Sequence, residues 1–186
     1  MHIDSISLVQ FKNYRQASFR FNERIVGVCG SNGNGKTNLL DAIYYLCFTK
    51  SYFTKSDTQN VLQGTQGFRI EGEFNTEGQI KTIVCILRET GKKEFSVNDE
   101  PYERFSAHIG KFPCVIITPD DVQMITEGSE GRRRFIDALL CQLDAKYLQS
   151  LMEYNKVIQQ RNSVVRALAE RTDLHSPSDV SEVQVA

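Results

Sequence analysis

An α/β fold is predicted, pairing a glycine-rich loop with an antiparallel β lobe and a helical arm. Three observations predict it. An apolar run, Ile25–Cys29, leads straight into Gly30-Ser31-Asn32-Gly33-Asn34-Gly35-Lys36-Thr37, and a helix-like pattern follows. Several segments of period-two alternation flank that unit. A long stretch after Arg132 keeps an apolar stripe at helical spacing. The chain has 186 residues, 40% hydrophobic and 24% charged, which suits a folded globular domain. Its formal net charge of −1 gives no global basic excess, so any nucleic-acid contact would need a local patch.

The elements read in order as follows. Ile6, Leu8 and Gln10 share one side of a first strand, with Ser5, Ser7 and Val9 on the other. Lys12-Asn13-Tyr14-Arg15 interrupts it, and Ala17, Phe19 and Phe21 alternate again. Ile25–Cys29 is continuously apolar, which predicts a strand buried on both faces. Leu39, Leu40, Ile43, Leu46 and Cys47 predict a helix after the loop. Residues 50–67 are polar and weakly patterned. Phe68 to Phe74, Ile80–Leu87 and Glu94–Val97 read as a meander with turns at Asn75–Gly78, Thr90–Lys93 and Asn98–Pro101. Cys114–Ile117 is a second short buried strand. Helix is predicted from Arg132 to about Glu170, with Asp144 capping a break. These spans divide into a lobe over 1–118 with the glycine-rich loop and an antiparallel β subdomain, a helical arm over 119–171 and a disordered tail over 172–186.

The five cysteines, Cys29, Cys47, Cys85, Cys114 and Cys141, are scattered and show no ligand spacing, so they read as reduced core thiols. The N-terminus has neither the charged nor the apolar part of a secretory signal, and no run reaches membrane-spanning length. A cytoplasmic protein is expected.

The loop satisfies G-x-x-x-x-G-K-[ST] at every fixed position. Glycines let main-chain N–H groups converge on phosphate oxygens, and the following helix points its positive end at the same anion. Lys36 is expected on the β- and γ-phosphates, and the Thr37 hydroxyl on magnesium. The candidate nucleotide-binding residues are Gly30, Ser31, Asn32, Gly33, Asn34, Gly35, Lys36, Thr37 and Asn38. Hydrolysis also needs a magnesium carboxylate and a group that positions water. Asp120 and Asp121 follow Cys114–Ile117 two residues late, behind Pro119, and read as the opening of a helix. No catalytic residue is assigned. Arg132, Arg133 and Arg134 at a helix start are either a solvated charge run or a contact for DNA or nucleotide phosphate.

Several segments together resemble one family. Phe11-Lys12-Asn13-Tyr14-Arg15 resembles the L-x-x-F-R-N-Y opening of the RecF family, and residues 30–44 resemble its P-loop and helix. Lys50–Phe53 is similar to its R-S-[FH]-R segment. Pro119–Asp121, Gly128-Ser129 and Arg132–Asp137 resemble its P-[ED]-D…G-[SP]…R-R-x-F-[LI]-D stretch, and Tyr154 to Asn162 resembles Y-x-x-x-[LI]-x-Q-R-N. The resemblance implies an ABC-type P-loop ATPase head, partial here, related to SMC and Rad50 heads. It implies ATP and Mg2+ as ligands, an ATP-dependent homodimer and binding to DNA gaps or junctions. RecR and RecO are implied partners, with RecA loading downstream, in DNA repair, replication, recombination and the SOS response. It further implies that Asn32 approaches the γ-phosphate and that Asn13 or Arg15 approaches the nucleotide. Family members run to about twice this length, with the signature and Walker B motifs in the later half. The chain therefore reads as a fragment, in which hydrolysis by itself is not expected. The alternatives are a small stand-alone phosphotransferase with magnesium on Asp120 or Asp121, and a non-enzymatic nucleotide-binding module.

Overall fold

A computed structural model describes residues 1–126 and 128–173, with side chains through 168. Contacts divide the chain into a unit from Met1 to Ala145 and a second one beginning at Lys146. The predicted tail lies almost wholly outside the described residues.

The first unit is built on one antiparallel sheet. Its strands are β1 (His2–Phe11), β2 (Tyr14–Arg20), β3 (Phe68–Thr76), β4 (Gln79–Leu87), β5 (Lys93–Val97) and β6 (Glu100–Pro101), in spatial order β2-β1-β3-β4-β5-β6. The expected meander is therefore present. Its alternation aims Ile6 and Leu8 of β1, Phe68, Ile70 and Phe74 of β3, Ile83, Cys85 and Leu87 of β4, and Phe95 of β5 into one core. Gln10 was expected on that inner side. Its backbone instead turns left-handed, at φ 54°, and the fully buried position falls to Phe11. A phase change at one residue moves every later side chain to the other face.

Helix α1 (Lys36–Phe48) packs on β3 and β4. Tyr44, Tyr45, Leu46 and Cys47 are buried there with Leu39 and Ala42, while Leu40 is about half exposed. Phe11, Tyr45 and Phe68 meet edge to face, with ring centroids 5.3–6.1 Å apart. The helix carries no basic residue in its last turn. Partners from elsewhere complete that end. Lys93 Nζ donates to the Thr49 carbonyl at 2.9 Å, and His108 Nε2 lies 2.7 Å from the Leu46 carbonyl.

Two expected strands are absent. Ile25–Cys29 and Cys114–Ile117 have no ladder partners among the described residues. Ile25 is 87% exposed and Ile117 77%, while Val28, Cys114 and Ile116 lean on the core. An apolar run becomes a doubly buried strand only between neighbouring strands, and these residues supply none. Cys29 is exposed for the same reason. The other four cysteines are buried or partly buried, and all five are free thiols.

A short helix α2 (Gln123–Thr126) precedes α3 (Ser129–Leu143), which begins earlier than expected and ends at an extended Asp144. Gly110, at φ 86°, lets α3 approach closely, because a Cβ there would sit 2.4 Å from the Gln142 carbonyl oxygen. Helix α4 (Ala145–Asp173), which belongs to the second unit from Lys146 on, is a single helix of 29 residues with Met152, Val157 and Val164 exposed. No helix among the described residues is long and apolar enough to cross a membrane.

His108 has no accessible surface, and its ring lies against Phe95 and Phe112. Because a carbonyl can only accept, Nε2 carries the proton donated to Leu46, and Nδ1 is left without a partner. Burial lowers the imidazole pKa to about 4, with nearby Lys111 pushing the same way and the Leu46 bond opposing. The unfolded chain then takes up the proton first on acidification. Stability should fall as pH drops from about 6.5 towards 4, by up to about 3 kcal/mol. Urea unfolding at pH 7 and pH 5 measures this, and His108→Gln should flatten the difference. Equal pH dependence in parent and variant would contradict it.

Candidate functional site

The phosphate loop runs from the exposed Gly30 to the buried Gly35 at the start of α1. Gly30, Gly33 and Gly35 adopt φ of 145°, 85° and 91°, conformations that L side chains avoid. Residues 30–34 are exposed, and a Cβ at Gly33 would meet nothing within 4 Å. The loop is therefore accessible from solvent. Leu39 N–H donates to the Gly35 carbonyl at 2.9 Å, closing the first helical turn. No acidic residue lies in that turn and no side chain caps it, so its positive end is left uncompensated.

Lys36 Nζ donates to the carbonyls of Gly30 and Ser31 at 2.8 and 2.9 Å, which brings its charge into the mouth of the loop. Thr37 is exposed, and its hydroxyl has no hydrogen-bond partner among the described residues. Asn32 is exposed as well. The amide of Asn38 donates to Asn13 Oδ1 at 2.7 Å, so its side chain faces the β1–β2 turn. Three glycines at positive φ, a helix amino end, one lysine and one unengaged hydroxyl are the donor set that a polyphosphate with a divalent cation requires.

Around the loop lies a polar network that the motif alone does not announce. Asp41 on α1 has no accessible surface. Lys12 Nζ reaches its Oδ2 at 2.5 Å, Ser51 Oγ donates to Oδ2 at 2.7 Å, and the Tyr52 N–H donates to Oδ1 at 2.7 Å. An aspartate flanked by Leu39, Leu40, Ala42 and Ile43 was the available signal, because a carboxylate on a buried helix demands a cation.

Asp120 and Asp121 open a single 3-10 turn, Pro119–Val122, with Thr118 as its cap. Asp121 Oδ2 accepts from Thr118 N–H at 2.6 Å and from its hydroxyl at 3.0 Å, and Oδ1 accepts from Tyr52 at 2.9 Å. The Thr118 N–H foremost, then the two hydroxyls, hold this carboxyl below its usual range against the opposing effect of burial. Both oxygens of Asp121 are thus engaged by its own chain, while Asp120 is exposed.

The three arginines separate. Arg132 donates to the Met124 carbonyl at 2.7 Å, Arg134 pairs with Glu130 one turn away, and Arg133 is exposed with no partner among the described residues.

Comparisons with known proteins bear on the family and the fold. A family model described as AAA domain matches residues 5–174. The DNA replication and repair protein RecF of Flavobacterium johnsoniae is 44% identical over 169 residues, covering 91% of this chain and 47% of that protein. RecF of Cytophaga hutchinsonii is 42% identical over 170 residues, covering 91% and 45%. The chain spans about half the length of the curated relatives it matches. Among solved structures, the recombination mediator protein RecF-ATPrS of the RecFOR pathway superposes with a TM-score of 0.83 at 28% identity, over 91% of this chain and 46% of that one. An SMC ATPase at 17% identity shares the fold, with a TM-score of 0.60 over 75% of this chain and 99% of that one. The architecture is that of a partial ABC-type ATPase head. The chain belongs to the AAA domain family, and within it the resemblance is to RecF, over its N-terminal half.

Proposed function

We propose that this chain carries the ATP-binding part of a RecF-type recombination mediator, in which magnesium-ATP at the phosphate loop is the switch for dimerisation on DNA. One observation carries the reading: an open loop with Gly30, Gly33 and Gly35 at positive φ, Lys36 in its mouth and an uncapped helix end behind it. The glycine N–H groups and Lys36 would hold the phosphates, and the Thr37 hydroxyl would hold magnesium. The bound nucleotide supplies charge that one dimeric state contacts and the other does not, and only such a differential can shift the equilibrium. Completing the site, hydrolysing ATP and closing the dimer would need groups from the remaining length of a RecF-type protein. The unpaired Ile25–Cys29 and Cys114–Ile117 segments would find strand partners there. On this reading the lobe over 1–118 holds the nucleotide and the arm over 119–171 extends from it. DNA gaps or junctions are the substrate, RecR and RecO the partners, RecA the downstream beneficiary and the cytoplasm the location.

Calorimetric titration with magnesium-ATP tests the site. The parent should bind and Lys36→Ala should lose at least tenfold in affinity, since a charge-assisted contact contributes about 1.5–3 kcal/mol. Equal affinities would remove the loop from the function. For DNA, Arg133→Ala should weaken binding to a gapped duplex and lower the slope of log K against log salt by about 1. Arg132→Ala is the less clean variant, because Arg132 also supports the Met124 carbonyl. An unchanged salt slope for Arg133→Ala would take this helix start off the DNA-binding face.

A further inference from the structure

We propose that the tip of the β1–β2 hairpin is a positioning clamp for the phosphate loop, with Asn13 and Tyr14 setting where the main-chain donors of α1 point. The inference rests on the nucleotide-binding reading and deepens it.

Three consecutive tip residues meet three positions of the loop and helix, each three residues apart. Lys12 pairs with Asp41, Asn13 accepts from Asn38, and the Tyr14 hydroxyl donates to the Gly35 carbonyl at 3.0 Å. The contact is close: a Cβ at Gly35 would lie 2.6 Å from Asn13 Nδ2, 2.7 Å from its Oδ1 and 2.9 Å from the Tyr14 ring. The tip is itself fixed. Lys12 takes a left-handed φ of 51°, and its N–H donates to the Asn60 carbonyl at 2.7 Å. Phe11 is locked beneath against Tyr45 and Phe68.

Two consequences follow for the donors. The Gly35 carbonyl accepts from both Tyr14 and the Leu39 N–H, which fixes the plane of the Gly35–Lys36 peptide. In a planar trans peptide the N–H points opposite to the C=O. Anchoring that carbonyl therefore aims the Lys36 N–H, the first unpaired donor of α1, out of the helix end. Asn38 sits in the first turn, where asparagine side chains commonly fold back onto free N–H groups. Bonding to Asn13 turns its amide outward and leaves those N–H groups to a phosphate.

The test is magnesium-ATP affinity and nucleotide-free unfolding of the full chain, measured on one set of variants. Tyr14→Phe, which removes only a hydroxyl, should weaken binding about three- to tenfold with the nucleotide-free midpoint unchanged. Asn13→Ala and Asn38→Ala should each weaken it, and the double variant should be no weaker than the worse single one, since both remove one shared bond. Ser18→Ala breaks the Ser7–Ser18 hydroxyl contact of the same hairpin, away from the loop, and should leave affinity unchanged. Parent affinity in Tyr14→Phe and Asn13→Ala, with Lys36→Ala still defective, would overturn the clamp and leave the nucleotide site standing. Losses that merely follow a lowered midpoint, Ser18→Ala included, would also overturn it. A parent that fails to bind magnesium-ATP would remove both readings.

Discussion

A carboxylate without access to solvent sets the local order of this molecule. Asp41 sits on the helix that follows the phosphate loop, and its charge is tolerable only because Lys12, Ser51 and the Tyr52 N–H all converge on it. Those partners come from the β1–β2 turn and from the segment after α1. The helix therefore cannot rotate or slide without exposing an uncompensated buried charge. Tyr52 extends the chain of bonds to Asp121, and so to the turn ahead of α2 and α3.

With that register fixed, the two ends of α1 are treated differently. At the carboxyl end, Lys93 and His108 take up free carbonyls, and the cation of Lys93 complements the negative end of the helix. At the amino end there is no acidic side chain and no cap. Helices ordinarily fill that position, because four N–H groups there lack internal partners. Left uncapped beside three glycines at positive φ, those N–H groups are open to water or to an anion.

Most of the sheet was legible in the sequence because period-two alternation is local. β3 and β4 each present a hydrophobic face that neighbouring residues alone define. The phosphate loop was legible because its residues serve a backbone conformation, and glycine spacing encodes that directly. Three features were hidden. Gln10 reads as inward until one left-handed residue hands the site to Phe11. Ile25–Cys29 and Cys114–Ile117 read as buried strands because apolar composition states a demand for neighbours, and composition cannot supply them. The role of Asn38 depends on a residue 25 positions away, so no local window around the motif shows it.

The halves of the loop are held by different means, and this bears on what Lys36 does. Gly35 and Asn38 are fixed by the hairpin tip. Gly30 and Ser31 follow a segment without ladder partners among the described residues, and Lys36 ties them down through their two carbonyls, with the Asn34 N–H also on that of Ser31 at 3.4 Å. Carbonyl dipoles orient an ammonium group without cancelling its charge, so the mouth of the loop keeps a net positive field while the lysine stitches it together. An arriving phosphate can therefore meet Lys36 without first breaking an ion pair. A lysine bound to a carboxylate would have to give up that partner first, and much of the gain from the new contact would be lost. The neutral partners of Lys36 and the charged partner of Lys12 are thus opposite solutions on adjacent elements: one keeps a cation available, and the other locks a cation away.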